Sequence, residues 1–191
     1  KRIPKSFTSR LFKRPARFSQ CTMSDWWPFR WPFKKKEEKA VRMRDIRAAE
    51  KALRQQVAEQ STAGLSRQAI FNQLAAELES LEGQPRTPES RARLYALDKV
   101  QAELHAALGG SLQAGQALEI EGKVDEAISF YETAVSDQLA SRFPYEHLRV
   151  IYLRREQLDE ARRVCQAALD NPFLDEKTQA HFRTWVEKLS A

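Results

Sequence analysis

Apolar residues recur every three or four positions along most of the chain after residue 36, with charged residues between them. This is the period of an α-helix that buries one face. The helices predicted from these stripes span about residues 37–60, 66–82, 87–108, 111–121, 124–137, 142–155, 158–170 and 174–189. No segment shows the sustained alternation of apolar and polar residues that a half-buried strand requires. The pattern therefore predicts an all-α fold.

Glycine, proline and capping residues mark where the predicted helices begin and end. Thr87-Pro88-Glu89 combines a capping hydroxyl, a proline suited to the first helical position and an acid favoured at a helix N-terminus. Gly109-Gly110 is predicted to end that helix, because glycine is a poor helix former. Gly122 and the polar pair Glu156-Gln157 are predicted to form two further turns.

Two stretches of the chain carry the same residue pattern 34 positions apart. Val124-Asp125-Glu126-Ala127 returns as Leu158-Asp159-Glu160-Ala161. Further matched pairs at this spacing are Leu118 with Tyr152, Tyr131 with Cys165, Ala134 with Ala168, and Val135 with Leu169. A fixed period of this length is typical of repeat proteins, in which each helical hairpin stacks on a neighbour to bury its apolar face. The sequence therefore predicts antiparallel hairpins packed side by side.

These residues resemble the tetratricopeptide repeat family over about residues 108–191. The matching positions are Gly115, Leu118, Ala127 and Tyr131 in the first unit and Tyr145, Leu148, Tyr152 and Ala161 in the second. Arg149 stands where the family has glycine, and Cys165 stands where it has an aromatic residue. The resemblance implies a short superhelix, in which small residues such as Gly115 let paired helices approach closely and tyrosines fill the space between hairpins.

The resemblance also implies a function, because family members bind a peptide or helix of another protein in a groove lined by the first helix of each unit. The groove positions in this chain are Leu112, Gln113, Gln116, Phe143, Glu146, His147, Val150, Arg154, Lys177, Ala180 and Thr184. Some family members clamp a peptide carboxylate with lysine and asparagine. Gln116 and Val150 stand where asparagine would be needed, so we do not expect that clamp. The sequence does not identify the partner.

The charge of the chain is divided unevenly. Residues 1–36 carry eleven lysines and arginines against one acid, Asp25, and hence a net charge of +10. The whole chain carries +6, so the other residues are mildly acidic at −4. We expect a basic disordered tail at 1–36, helices forming a degenerate repeat or cap at 37–108, and two repeats with a capping helix at 109–191. Nucleic-acid binding by the helical part is not expected, because the basic residues lie in the tail.

A segment of the tail that is rich in tryptophan and phenylalanine is a second candidate contact site. Its aromatic and basic residues are Trp26, Trp27, Phe29, Arg30, Trp31, Phe33, Lys34, Lys35 and Lys36. Tryptophan favours the membrane–water interface and lysine is attracted to anionic lipid, so the segment predicts peripheral attachment to a membrane. Two alternatives stay open: it docks on this protein or on a partner, or its rings stack on nucleic acid.

The first 22 residues and the two cysteines bear on cellular location. Residues 1–22 carry seven basic residues and no acid, a composition that resembles an organelle transit peptide. The simpler interpretation is a disordered leader, or translation upstream of a true start at Met23. Cys21 and Cys165 differ too much in context to form a disulfide framework, which favours a reducing compartment. We expect a cytoplasmic protein, with attachment to a membrane surface or organelle import as alternatives.

No arrangement of residues indicates catalysis, and we expect no enzyme activity, cofactor or metal. The acidic pairs Asp125-Glu126 and Asp159-Glu160 begin helices, where the helix dipole favours them without a catalytic role. Cys165 falls in a core position and is expected to be an inert thiol. His147 and His181 occupy equivalent positions in adjacent units, but two histidines without further ligands are a weak metal signal.

The number of repeats bears on assembly, because two complete units are fewer than the three that usually bury a continuous repeat core. We expect the missing surface to come from flanking helices of the same chain. The residues concerned are Leu94, Leu97, Leu104 and Leu108 before the repeats and Phe182, Trp185, Val186 and Leu189 after them. This predicts a monomer that fails to fold when the chain is cut after Asn171.

Overall fold

The computed structural model describes residues 41–190. Within this range the chain forms helices and no strand, which confirms the predicted all-α fold. The helices are α1 (Met43–Thr62), α2 (Arg67–Glu82), α3 (Pro88–Ile120), α4 (Val124–Ser136), α5 (Arg142–Arg154), α6 (Leu158–Asp170) and α7 (Glu176–Lys188). The basic tail at 1–36, including the membrane-contact candidates between Trp26 and Lys36, lies outside the described residues.

Several helices begin at capping side chains that are visible in the sequence. The Oγ1 atom of Thr87 accepts a hydrogen bond from the N–H of Ser90 over 3.1 Å, and Pro88 is the first residue of α3. The predicted start of this helix is therefore confirmed. Ser66 caps α2 in the same way, with 3.2 Å between its Oγ and the nitrogen of Ala69. A cap of this kind stabilises a helix by about 1 kcal/mol.

One predicted boundary is wrong, because the helix that begins at Pro88 does not end at Gly109-Gly110. It continues through both glycines to Ile120 as the single helix α3 of 33 residues. Buried residues lie on both sides of the glycines, including Leu97 before them and Gly115 after them. These tertiary contacts outweigh the intrinsic cost of about 1 kcal/mol for each glycine in a helix interior.

The turns predicted within the repeats are confirmed. Gly122 adopts a left-handed φ of 78° between α3 and α4, and Glu156 adopts a φ of 59° between α5 and α6. The two residues are 34 positions apart, so the turn geometry repeats with the sequence. Each turn reverses the chain within a few residues, which makes α3 with α4 and α5 with α6 antiparallel hairpins.

Two clusters of buried side chains hold the helices together. The bundle core lies among α1, α2 and the first half of α3, and it contains Leu53, Ile70, Leu74, Ala96, Leu97 and Val100. The repeat core lies among the later helices, and it contains Ala127, Tyr131, Val135, Tyr145, Leu148, Ile151, Tyr152, Ala161, Val164, Cys165, Ala168, Leu174 and Phe182. Most positions of the repeated pattern are therefore core positions.

The flanking helices take part in different cores. Trp185, Val186 and Leu189 of the last helix and its C-terminal end pack against the repeat core, as predicted. Leu97 belongs to the bundle core instead of covering the first repeat, so the prediction is wrong for this residue, and Leu104 packs against the same core. The reason is that α1 and α2 fold back against α3 and bury the leucine face of its first half.

Candidate functional site

The surface that the sequence indicates for partner binding is formed by three helices that run in the same direction. They are α3 from Leu112 onward, α5 and α7, and α4 and α6 return the chain between them. We call their common surface the first-helix face. Side-chain contacts bridge α3 to α5 and α5 to α7, so the three helices are neighbours.

Glu119 and His147 join α3 to α5. The Nδ1 atom of His147 lies 2.7 Å from Oε2 of Glu119, and the hydroxyl of Tyr131 donates a hydrogen bond to the same oxygen over 2.7 Å. Burial and the Glu119 carboxylate raise the pKa of Tyr131, so its hydroxyl keeps the proton that it donates. The imidazole of His147 also stacks on Phe143, with 3.8 Å between the ring centroids. These contacts fix the His147 ring.

Glu146 and His181 join α5 to α7. The Nε2 atom of His181 lies 3.1 Å from Oε2 of Glu146 and 3.1 Å from Nη2 of Arg142. The second carboxylate oxygen of Glu146 accepts a hydrogen bond from the guanidinium of Arg149. Partial burial would raise the pKa of Glu146, but Arg149 and His181 together hold it below its usual value. Glu146 is therefore ionised near neutral pH and links the two helices as a carboxylate.

Arg149 is a buried cation whose role the sequence did not reveal. Only 5% of the residue is exposed, and its guanidinium carbon lies 3.8 Å from the centroid of the Trp185 ring on α7. A guanidinium between a carboxylate and an aromatic face is stabilised by both. The one sequence signal was the departure from the family pattern, which has glycine at this position. The structure places Arg149 in the junction between α5 and α7.

The predicted groove residues differ in how much of each side chain a partner could reach. Leu112, Gln116, Phe143, Glu146, His147 and Val150 are partly buried, whereas Gln113, Arg154, Lys177, Ala180 and Thr184 are exposed. Arg154 and Lys177 form no ion pair with any residue in the described range. These two cations are not brought together, because Arg154 ends α5 and Lys177 lies in the first turn of α7.

Ile120 is a candidate contact residue that is not among the groove positions predicted from the sequence. It is the last residue of α3 and is 88% exposed, the highest fraction among the exposed large apolar side chains of residues 41–190. The repeat spacing was the signal that could have identified it, since Ile120 lies 34 positions before the predicted groove residue Arg154.

Cys165, His147 and His181 are each buried or held by a neighbouring side chain. Cys165 is fully buried, and burial raises the pKa of its thiol to about 11, which makes it unreactive near neutral pH. His147 and His181 each lie beside a carboxylate of a neighbouring helix. Across residues 41–190, no group of three or more His, Cys, Asp or Glu side chains is placed to hold a metal ion. Nor does any helix in that range combine the length and apolar character needed to cross a membrane.

Comparisons of the chain with protein-family models, with curated proteins and with solved structures give no match. The class of the described part therefore follows from its own helices, which form an all-α protein of helical hairpins packed side by side. The resemblance to tetratricopeptide repeats rests on the repeated residues themselves.

Proposed function

We propose that this protein is a non-enzymatic scaffold that binds a peptide or a helix of another protein on the first-helix face. The observation that carries the proposal is Ile120, 88% exposed at the end of a face whose helices are joined by side-chain pairs. A surface that is fixed before binding loses little conformational entropy when the partner arrives. An exposed apolar side chain on such a surface suits the apolar side of an amphipathic segment.

The expected contact residues are those whose side chains are accessible and not already paired. Ile120 and the accessible part of Val150 would bury apolar surface against the partner, whereas Phe143 is already stacked on His147. Arg154 and Lys177 would attract acidic groups of the partner, since neither has an ion pair among residues 41–190. Glu146 and His147 instead hold adjacent helices together. Replacing those two would change stability as well as binding, so they are poor probes of the contact itself.

The test is a pull-down with the full chain that compares substitutions of apolar residues on the first-helix face with one outside it. Ile120→Glu and Val150→Glu place a charge on the first-helix face. Leu158→Glu is the control, because Leu158 is 54% exposed at the start of α6, outside that face. We expect the first two variants to retain at most a tenth of the partner retained by the control, because burying an unpaired charge at an interface costs several kcal/mol.

Circular dichroism of each variant must match that of the unmodified chain before the pull-down is interpreted. Recovery of the same partners in the same amounts with Ile120→Glu, Val150→Glu and Arg154→Ala combined would contradict the proposal. Loss of partners with Leu158→Glu as well would indicate a different surface.

The second candidate function is attachment to an anionic membrane through the Trp- and Lys-rich segment at 26–36, which rests on the sequence of that segment. Co-sedimentation with vesicles containing an anionic lipid tests it. Changing Trp26, Trp27 and Trp31 to serine should abolish sedimentation, because these rings supply the apolar part of the contact. Binding that is unchanged in this variant would exclude the segment as the anchor. A steep salt dependence of binding to single-stranded nucleic acid would support the third alternative.

We also propose that the scaffold is a monomer and acts in the cytoplasm. The monomer is supported by α7, which supplies Phe182 to the end of the repeat core from within the same chain. Light scattering of the full chain after size-exclusion chromatography should give a mass near the 22.1 kDa of one chain. A mass of twice this value at micromolar concentration would show that a second copy covers part of the surface.

A further inference from the structure

Helix α3 takes part in both cores of the described chain. Ala96, Leu97 and Val100 of its first half pack in the bundle core. Leu112 and Leu118 of its second half pack against the repeat core. We call α1, α2 and α3 up to Leu108 the bundle half, and α3 from Leu112 to α7 the repeat half. The residues of α3 between Leu108 and Leu112 connect these two halves.

Gly109 and Gly110 form this connection, in the interior of the helix. A Cβ atom added at either position would meet no atom within 4 Å beyond the neighbouring residues and local backbone of α3 itself. Packing therefore does not require glycine there, in contrast to Gly115 of the same helix, where the added atom would lie 2.5 Å from the Tyr131 ring. At each position, glycine in place of alanine lowers the equilibrium constant for helix formation about five-fold. Paired small residues are also a common site of helix kinks.

A set of polar contacts joins the two halves beside α3. Nη1 of Arg67 lies 2.5 Å from Oδ2 of Asp137, and the N–H of Gln68 donates to the carbonyl oxygen of Asp137 over 3.2 Å. The N–H of Ala140 donates to Oε1 of Gln68 over 3.3 Å. We call these bonds, between the start of α2 and the loop after α4, the α2–loop contact.

A cleft of about 320 Å³ lies beside the α2–loop contact and has walls from both halves. Val57, Leu65 and Leu104 line it from the bundle half, and Asp137 and Gln138 line it from the repeat half. The halves therefore meet here across an open space, and the bonds that span it are the polar ones of the α2–loop contact. Water can replace such bonds when the two sides separate, whereas opening either core exposes buried apolar side chains, so we expect this junction to open more easily.

We propose that α3 bends at Gly109-Gly110 and that the α2–loop contact holds its straight form. In the bent form Arg67 and Asp137 separate, both side chains enter water, and the cleft widens. Each core stays packed, because the bend lies between them. The bend changes the angle between the bundle half and the first-helix face, so α3 acts as a hinge.

The test measures a distance across the hinge in the full chain. Spin labels are placed on Ala52→Cys of α1 and Glu126→Cys of α4, both exposed positions, in a Cys21→Ser background. The native Cys165 thiol is fully buried and does not compete for label. A control pair on Glu126→Cys and Arg162→Cys lies within the repeat half.

Changing Arg67, Gln68 and Asp137 to alanine should add a second distance population for the pair across the hinge and leave the control pair unchanged. Adding Gly109→Ala and Gly110→Ala should remove that second population. A single, unchanged distance in the triple variant would overturn the proposal. A second population that survives both alanines, or appears in the control pair as well, would also overturn it.

Hydrogen exchange provides a second measurement that does not depend on a destabilised variant. Gly109→Ala and Gly110→Ala alone should slow exchange of the amides at 110–114 by about ten-fold or more. The reason is that the two alanines together shift the local equilibrium toward the closed helix by roughly twenty-fold. Exchange that is equally fast with and without the two alanines would show that α3 does not open at this position.

Discussion

The ring of Tyr131 lies directly against Gly115, where α4 packs on α3. A Cβ atom at position 115 would be 2.5 Å from Cε1 and 2.8 Å from Cδ1 of Tyr131. Both residues are buried, with Tyr131 at 0% exposure. The ring therefore occupies the space that any side chain at 115 would need. This confirms the expectation that a small residue at 115 lets the paired helices approach closely.

We expect Gly115→Ala to lower the free energy of unfolding by about 1–3 kcal/mol, because it overpacks a filled core. The loss should appear even though alanine is the better helix former by about 1 kcal/mol. Urea denaturation of the full chain measures it. Gly110→Ala in the same helix is the matched control and should stabilise by up to about 1 kcal/mol. Equal effects at the two positions would show that the Tyr131 ring moves aside freely.

Glu156→Gly should stabilise the protein by about 0.5–1 kcal/mol, because glycine adopts a left-handed φ without steric cost. Glu156 has a φ of 59°, and the equivalent residue of the preceding unit is already a glycine, Gly122. Gly122→Ala, the reverse change at the equivalent turn, should destabilise by about 1 kcal/mol. Thermal unfolding followed by circular dichroism checks both. A lower melting temperature for Glu156→Gly would argue against strain at this turn.

Glu146→Gln should destabilise the protein near neutral pH and weaken the dependence of its stability on acid. The pKa of Glu146 is lowered in the folded state, so unfolding is accompanied by proton uptake as the pH falls. The carboxylate therefore stabilises the fold above about pH 5, and this contribution is lost as the pH falls through the lowered pKa. We expect a loss of about 1–3 kcal/mol at neutral pH, because buried Arg149 is left without its carboxylate.

The measurement for Glu146 is the free energy of unfolding in urea, followed from neutral pH downward. Glu126→Gln is the control, because Glu126 is exposed and lies on α4 outside the junction of α5 and α7. Its acid dependence should match that of the unmodified chain. If the free energy of unfolding falls equally steeply with pH in Glu146→Gln and in the unmodified chain, Glu146 does not contribute to the acid dependence.

Phe182→Ala should destabilise the repeat core by about 3–5 kcal/mol, the usual range for a buried phenylalanine. Phe182 is fully buried and contacts Tyr145 edge to face, with 6.1 Å between the ring centroids. The neighbouring exposed residue provides the control, and Arg183→Ala should change stability by less than about 0.5 kcal/mol. Urea denaturation distinguishes them.

A chain that ends after Asn171 should lose the cooperative unfolding of the repeat core, because it lacks Phe182 and the residues of α7 that pack around it. Helix content should fall by more than the contribution of α7 itself. A soluble chain that ends there and still melts cooperatively at the temperature of the full chain would show that α7 is not a required cap.

The sequence by itself determined where most helices lie and which positions repeat. Helix periodicity, the capping hydroxyl of Thr87 and the turn at Gly122 act over a few residues, so a local pattern suffices to predict them. The 34-residue spacing also identified much of the repeat core, because equivalent positions in stacked hairpins meet equivalent surroundings. The groove residues were named from the resemblance, and their binding role stays a prediction.

The tertiary structure alone decided three further features. α3 passes through Gly109-Gly110 because buried residues on both sides hold it, a contribution that local helix propensity does not include. Arg149 is buried because Glu146 and Trp185 come together at the junction of α5 and α7. The bridging pairs Glu119–His147 and Glu146–His181 are 28 and 35 residues apart, so neither follows the repeat spacing. Which side chains meet across adjacent helices depends on the distance and rotation at which those helices pack, and a one-dimensional pattern does not contain either quantity.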